Sequence, residues 1–243
     1  MLPILNLGPL ALPVPGLLVL AAYWIGASLA ERRAERYQSQ PEVIGNLLYY
    51  ALMASILGAR LGYALRYPAA FVASPASLLS LNLNLLDVWS GLAAALLFGL
   101  AYGQRKGLQT GTTLDALTPF LASLALGLAL SQLASGAAYG LPSDLPWAIE
   151  LWGASRQPSQ AYDAIAGALI LGAILRGRAT KQPGQTFMNF VLLTASAHLL
   201  LGAFDAAAAT LPNGWRLNQI GAWFAIAAVL WLQRQPARTK QVE

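Results

Sequence analysis

The stretch RQPSQAYD, residues 156–163, is the most polar part of an otherwise apolar region. It places a guanidinium, two amides, a hydroxyl, a phenol and a carboxylate directly before an apolar run that extends to Leu175. In a membrane each such group is costly unless it is paired or hydrated. The cluster therefore predicts a binding or catalytic site. The alternative is a helix cap, in which Ser159 or a neighbour caps the helix that follows Pro158.

The composition is that of an integral membrane protein. Of the 243 residues, 57% are hydrophobic and 10% are charged, whereas roughly a quarter of the residues of a soluble domain are charged. The chain has no cysteine and a single histidine, His198. This excludes cysteine chemistry and a cluster of imidazole ligands. We expect no metal and no cofactor.

Apolar runs predict an all-α membrane protein with seven transmembrane helices in a single domain, residues 1–243. Two longer connections, residues 67–87 and 139–158, are expected to be outer loops. Within the first, leucines alternate with polar residues over 79–85, a period of two that favours an extended segment. The predicted spans are residues 15–30, 43–65, 88–102, 114–138, 160–175, 186–204 and 219–232.

The positions of the cations predict the orientation. Eleven of the 15 Lys and Arg residues follow the first, third, fifth and seventh spans. Because positive charge stays on the cytoplasmic side, the N-terminus is predicted to lie outside and the C-terminus in the cytoplasm. The net charge of +5 is thus an orientation signal and not a nucleic-acid footprint, so we expect no nucleic-acid partner.

One arginine lies well inside the second predicted span. Arg60 stands between Gly58 and Gly62, which share a helix face and allow another helix to approach closely. A charge at this depth costs about 2.5–3.5 kcal/mol on insertion scales. Arg60 should therefore meet a carboxylate, with Asp163 and Asp87 as candidates, or grip an anionic lipid headgroup through its planar guanidinium.

Five stretches of the chain occur in an order and spacing typical of one family of membrane enzymes. They are GPLAL (8–12), NLLYY (46–50), GARLGY (58–63), YGLPSDLPW (139–147) and RQPSQAYD (156–163). Through them the chain resembles the bacterial prolipoprotein diacylglyceryl transferases over essentially its whole length. These enzymes move the diacylglyceryl group of phosphatidylglycerol to the lipobox cysteine of a preprolipoprotein, form a thioether and release glycerol phosphate.

The resemblance implies a multi-pass protein of the bacterial inner membrane. Its implied partners are a phospholipid, phosphatidylglycerol, and a preprolipoprotein or other membrane subunits, and the chemistry needs no metal. The residues that the resemblance assigns to the lipid headgroup are Arg60, Arg156, Ser159, Gln160, Tyr162 and Asp163.

The chain also departs from the family pattern. Trp89-Ser90-Gly91 stands where the family has His-Gly-Gly, and Gln157 stands where it has histidine. Residues 131–138 lack the arginine, asparagines and glutamate of the family signature. The arginine of the sixth family span aligns near His198, which is therefore the candidate catalytic base. The alternative for a lone histidine on an apolar helix is a packing role.

These departures leave two hypotheses open. The first is a divergent transferase that uses Arg60, Arg156 and His198. The second is a noncatalytic relative that acts as a lipid-binding or scaffold subunit of a membrane complex.

Overall fold

The computed structural model describes residues 4–7, 10–37, 39–73, 85–180, 182–206 and 208–234. This part of the chain is mostly helical, and each predicted span coincides with one long helix. A short helix, α3 (Pro68–Ala73), lies at the start of the first predicted loop. The long helices are α1 (Val14–Ala34), α2 (Pro41–Arg66), α4 (Val88–Arg105), α5 (Thr110–Ser135), α6 (Ser159–Arg176), α7 (Gln185–Leu201) and α8 (Leu217–Arg234).

The prediction of a helical membrane protein is confirmed. Within the described residues, three helical segments are long and apolar enough to cross a membrane: Val14–Tyr37, Pro41–Arg66 and Thr110–Ser135. Helix α7 is apolar but shorter. Seven crossings with the N-terminus outside stay a prediction, and the extended segment predicted at 79–85 falls almost entirely outside the described residues.

Two short β-hairpins correct the all-α prediction in detail. Strand β1 (Ile4–Leu7) pairs antiparallel with β2 (Leu10–Pro13). Strand β3 (Ile149–Leu151) pairs with β4 (Ala154–Arg156) through a two-residue turn. Trp152 and Gly153 both have positive φ, 55° and 75°, which matches the twist of the flanking strands in a tight hairpin.

The described chain forms two compact units. The smaller unit is Ala30–Ala116, and the larger unit combines Met1–Leu29 with Leu117–Glu243. The single-domain organisation stays a prediction.

In the smaller unit, α2 packs closely against α4. A Cβ atom on Gly58 would overlap the Ala94 side chain, and one on Gly62 would overlap Ser90. In the opposite direction, a Cβ on Gly91 would lie 3.0 Å from the Cβ of Ala59. The predicted close approach at the two glycines of α2 is therefore confirmed, with α4 as the partner.

In the larger unit, α5, α6 and α7 share a core. Ala122, Ile174 and Phe190, one from each helix, form a buried apolar cluster. Because α6 and α7 are consecutive helices that pack against each other, the beginning of α6 lies near the end of α7. This arrangement places the polar start of α6 beside the last turn of α7.

Candidate functional site

The first turn of α6 carries two buried polar side chains. Ser159 is 4% exposed and Gln160 is fully buried. The Ser159 hydroxyl and both polar atoms of the Gln160 amide have no hydrogen-bond partner within the described residues. Leaving a buried polar group unpaired costs about 1–3 kcal/mol. These atoms are therefore available to a polar ligand or to water.

The capping interpretation of Ser159 is wrong. The N-cap position of α6 is Pro158, and no side chain caps the helix there. Ser159 lies one residue further on, inside the first turn, where its hydroxyl is not positioned as an N-cap acceptor. The backbone amides of Ala161 and Tyr162 donate to the Pro158 carbonyl, and the positive end of the helix dipole favours an anion nearby.

Tyr162 connects α6 to the loop of residues 139–158 through a hydrogen bond. Its hydroxyl accepts a hydrogen bond from the Trp147 indole at 2.7 Å. Its ring meets Phe204 edge-on at a centroid distance of 6.2 Å. The phenol is thus held at the start of α6, with its own proton free to be donated.

Arg156 hydrogen-bonds to the backbone of the same loop. Its Nε donates to the Leu151 carbonyl at 3.2 Å and its Nη1 to the Gly140 carbonyl at 3.4 Å. The guanidinium also lies 4.9 Å from the centre of the Tyr139 ring. Within the described residues these bonds engage Nε and Nη1, which leaves the Nη2 donors for a ligand.

Arg60 is buried in the smaller unit, with 8% of its surface exposed. Its Nη1 donates to the Leu85 carbonyl at 3.1 Å, and its guanidinium lies 6.0 Å from the centre of the Phe71 ring. This contact with a backbone carbonyl was not predicted, because Leu85 lies 25 residues further along the chain. A pairing of Arg60 with Asp163 stays a prediction.

Asp87, the other candidate partner of Arg60, caps α4. It accepts hydrogen bonds from the amide and hydroxyl of Ser90 at 2.8 and 2.6 Å and lies 3.5 Å from Arg66. These Ser90 hydrogen bonds, with a smaller contribution from Arg66, hold the pKa of Asp87 below its ordinary value. Ser90 therefore contributes to a helix cap.

A cavity of about 220 Å³ lies between α5, α6 and α7. Asp163 and His198 both line it, together with Gln132 and Thr194, and the rest of the lining is mostly alanine and other apolar side chains. Among the described residues, Asp163 and His198 are the two ionisable side chains that line it. The structure thus brings together two residues that the sequence analysis assigned to separate roles.

His198 borders a second cavity as well. This cavity, of about 360 Å³, lies between α7 and α8 and also includes Thr194 and Asn218. His198 is exposed, and the choice between a catalytic base and a packing role stays open. The Thr194 hydroxyl is buried without a hydrogen-bond partner in the described chain. Nothing in the sequence pattern singled out Thr194, because a threonine in an apolar helix is unremarkable.

The described residues contain no group of three or more acidic, histidine or cysteine side chains that could hold a metal ion. The larger unit holds Arg156, the first turn of α6 and the cavity lined by Asp163 and His198, and the smaller unit holds Arg60. Long apolar helices of this kind are typical of integral membrane proteins.

Comparison with known proteins specifies the class. A family model described as prolipoprotein diacylglyceryl transferase matches residues 3–234, and the chain belongs to this family. The transferase named phosphatidylglycerol–prolipoprotein diacylglyceryl transferase in Methylococcus capsulatus is 33% identical over 198 residues, which are 77% of this chain and 74% of the relative.

Two further relatives carry the same name. The one from Methylocella silvestris is 31% identical over 222 residues, which cover 83% of this chain and 79% of the relative. The one from Bordetella avium is 33% identical over 180 residues, which cover 70% and 68%. The family resemblance inferred from the motifs is confirmed.

Proposed function

We propose that this chain transfers the diacylglyceryl group of phosphatidylglycerol to the lipobox cysteine of a preprolipoprotein in the bacterial inner membrane. The names of its relatives and the family match support this reaction. The observation that carries it is the cavity lined by both Asp163 and His198. In this cavity His198 is the base, and it lies beside an apolar space at the start of α6 and the end of α7.

In this proposal all seven long helices cross the membrane as one domain, with the N-terminus outside. Support comes from the cations, which follow alternate spans, and from the apolar character of the helices. The beginning of α6 and the end of α7 then lie in the outer half of the bilayer, the side on which secreted acceptors arrive.

The lipid headgroup binds at the first turn of α6. The unpartnered Ser159 and Gln160 side chains and the positive end of the helix dipole suit a phosphodiester with neighbouring hydroxyls. Arg156 and Tyr162 supply further donors there, and Arg60, in the smaller unit, stays a predicted headgroup ligand. Asp163 belongs to the predicted set, but its negative charge repels a phosphate, so in this proposal it is not a headgroup ligand.

His198 accepts the thiol proton. As the S–H bond breaks, the sulfur pair attacks the terminal glyceryl carbon of the diacylglyceryl group and forms the thioether. The C–O bond to the phosphate breaks, its electron pair stays on the phosphate oxygen, and glycerol phosphate leaves. The imidazolium then releases its proton to the leaving phosphate or to water.

The test uses the full chain in nanodiscs with labelled phosphatidylglycerol and a peptide that carries a lipobox cysteine. The expected products are the thioether-linked peptide and glycerol phosphate in equal amounts. His198→Gln should lower the rate about 100- to 10,000-fold, as the loss of a general base does, and Arg60→Ala should abolish transfer. The control Gln185→Ala changes a residue at the opposite end of α7, where the amide donates to Asn189, and should keep the rate.

A second candidate function is that of a noncatalytic lipid-binding or scaffold subunit. It is favoured by Arg156, whose guanidinium bonds the backbone of its own loop, and by the family motifs that are missing at residues 89–91 and 131–138. Absence of turnover, together with phospholipid or a partner chain that copurifies with the protein, would refute the transferase and support this alternative.

A further inference from the structure

The start of α6 and the end of α7 bring one carboxylate and the only histidine of the chain to the same cavity. Asp163 lies in the second turn of α6, and His198 lies in the last turn of α7. No hydrogen bond within the described residues engages the Asp163 carboxylate. A half-buried carboxylate without a donor is costly in an apolar setting, so a partner for it is to be expected.

The surroundings narrow the choice of that partner. Helix α5 contributes Gln132 and α8 contributes Asn218 to the cavities around His198, and neither side chain titrates. Asp205 lies near Asp163 and carries charge of the same sign, but it lines neither cavity. His198 is thus the one group lining these cavities, among the described residues, that can carry a positive charge.

We propose that Asp163 is the positioning residue of His198: its carboxylate accepts a hydrogen bond from one imidazole N–H, so that the other nitrogen faces the acceptor thiol. This rests on the proposed function, in which His198 is the base. A neutral imidazole has one donor and one acceptor nitrogen, and the group bonded to the donor fixes which nitrogen is free. The carboxylate also stabilises the imidazolium that forms when the thiol proton arrives.

The kinetic test compares Asp163→Asn with Asp163→Glu in the nanodisc assay. Asn keeps the size but loses the charge, so kcat should fall about 100-fold or more, with the KM for phosphatidylglycerol unchanged. Glu restores the carboxylate and should recover at least part of the rate. The matched control is Asp205→Asn, which removes the other nearby carboxylate and should leave kcat within about twofold.

A spectroscopic test is independent of turnover. Because the chain has one histidine, ¹⁵N-histidine labelling gives a single imidazole, whose two nitrogen shifts report the tautomer directly. The wild type should show one dominant tautomer, Asp163→Asn a mixture or the opposite tautomer, and Asp205→Asn the wild-type pattern. A melting curve of each variant checks that it is folded.

The outcomes distinguish failure of the proposed function from failure of the Asp163–His198 pairing. If the wild type does not transfer lipid but the tautomer depends on Asp163, the proposed function fails and the pairing stands. If the wild type transfers lipid while Asp163→Asn keeps both kcat and the tautomer, the pairing is overturned and the function stands. A raised KM for phosphatidylglycerol with unchanged kcat would also overturn the pairing, since it would place Asp163 on the headgroup.

Discussion

Replacement of Gln160 by methionine should stabilise the ligand-free protein and weaken its response to lipid. Gln160 is fully buried, and neither its amide oxygen nor its nitrogen is hydrogen-bonded in the described chain. An unpaired buried polar group costs about 1–3 kcal/mol, and methionine fills nearly the same volume without one. Allowing for imperfect packing of the new side chain, we expect a gain of about 1–3 kcal/mol.

For a chain of this size that gain raises the melting temperature by about 2–4 °C per kcal/mol. The assay is a melting curve in detergent, with and without added phosphatidylglycerol. Lipid at 100 times its dissociation constant should stabilise the wild type by about 2.7 kcal/mol, and Gln160→Met should lose much of this increment. Gln160→Met should thus raise the melting temperature without lipid and reduce the stabilisation that lipid adds. A general packing effect would change the melting temperature without changing the stabilisation by lipid.

The matched control is Gln219→Met near the start of α8. The Gln219 side-chain amide donates to the Leu199 carbonyl at 3.2 Å. Unlike Gln160→Met, the substitution at this position therefore removes an existing hydrogen bond. It should lower the melting temperature and leave the lipid response intact. A fall in stability for Gln160→Met of similar size to the control would refute the reasoning, because it would mean that the Gln160 amide is already satisfied.

Two further predictions concern stability. Gly140→Ala should lower the melting temperature by several degrees, because a Cβ there would overlap the backbone carbonyl of Gln157 and overpacking costs about 1–3 kcal/mol. The control is Gly172→Ala, where a Cβ meets nothing within 4 Å. It should raise the melting temperature slightly, because alanine has the higher helix propensity. The lowered pKa of Asp87 means that its stabilising effect is present above its unfolded value of about 3.9 and is lost as the pH falls through the lower folded value. Melting curves from pH 6 to pH 3 should therefore show a smaller acid-dependent decrease for Asp87→Asn than for the wild type, and equal decreases would contradict the assignment.

The helices and the contact between α2 and α4 could be predicted from the sequence because their signals are local. Apolar runs mark the seven long helices. The spacing of Gly58 and Gly62 indicates a close helix contact, although the pattern of α2 cannot say which helix is the partner. That information lies in Ser90 and Ala94, whose small side chains meet the two glycines.

The hairpins and the details of the site could not be predicted in this way. Strands of three or four residues are too short for a period of two to be visible, and a tryptophan at positive φ goes against the usual preference for glycine. The cap assigned to Ser159 is wrong by one residue, which is within the normal uncertainty of a helix boundary. The meeting of Asp163 with His198 depends on how α6 packs against α7, which no local pattern encodes.

The loop before α6, residues 139–158, is closed at its base. The backbone N–H of Gln157 donates to the Leu141 carbonyl, and the backbone N–H of Ser143 donates to the Ser155 carbonyl, both at 3.0 Å. The position at which α6 begins is therefore set by these two rungs and not by the chain between them. The tip at Trp152 and Gly153 can be lengthened or shortened, since added loop length carries a small entropic penalty, while the polar first turn of the helix stays where it is.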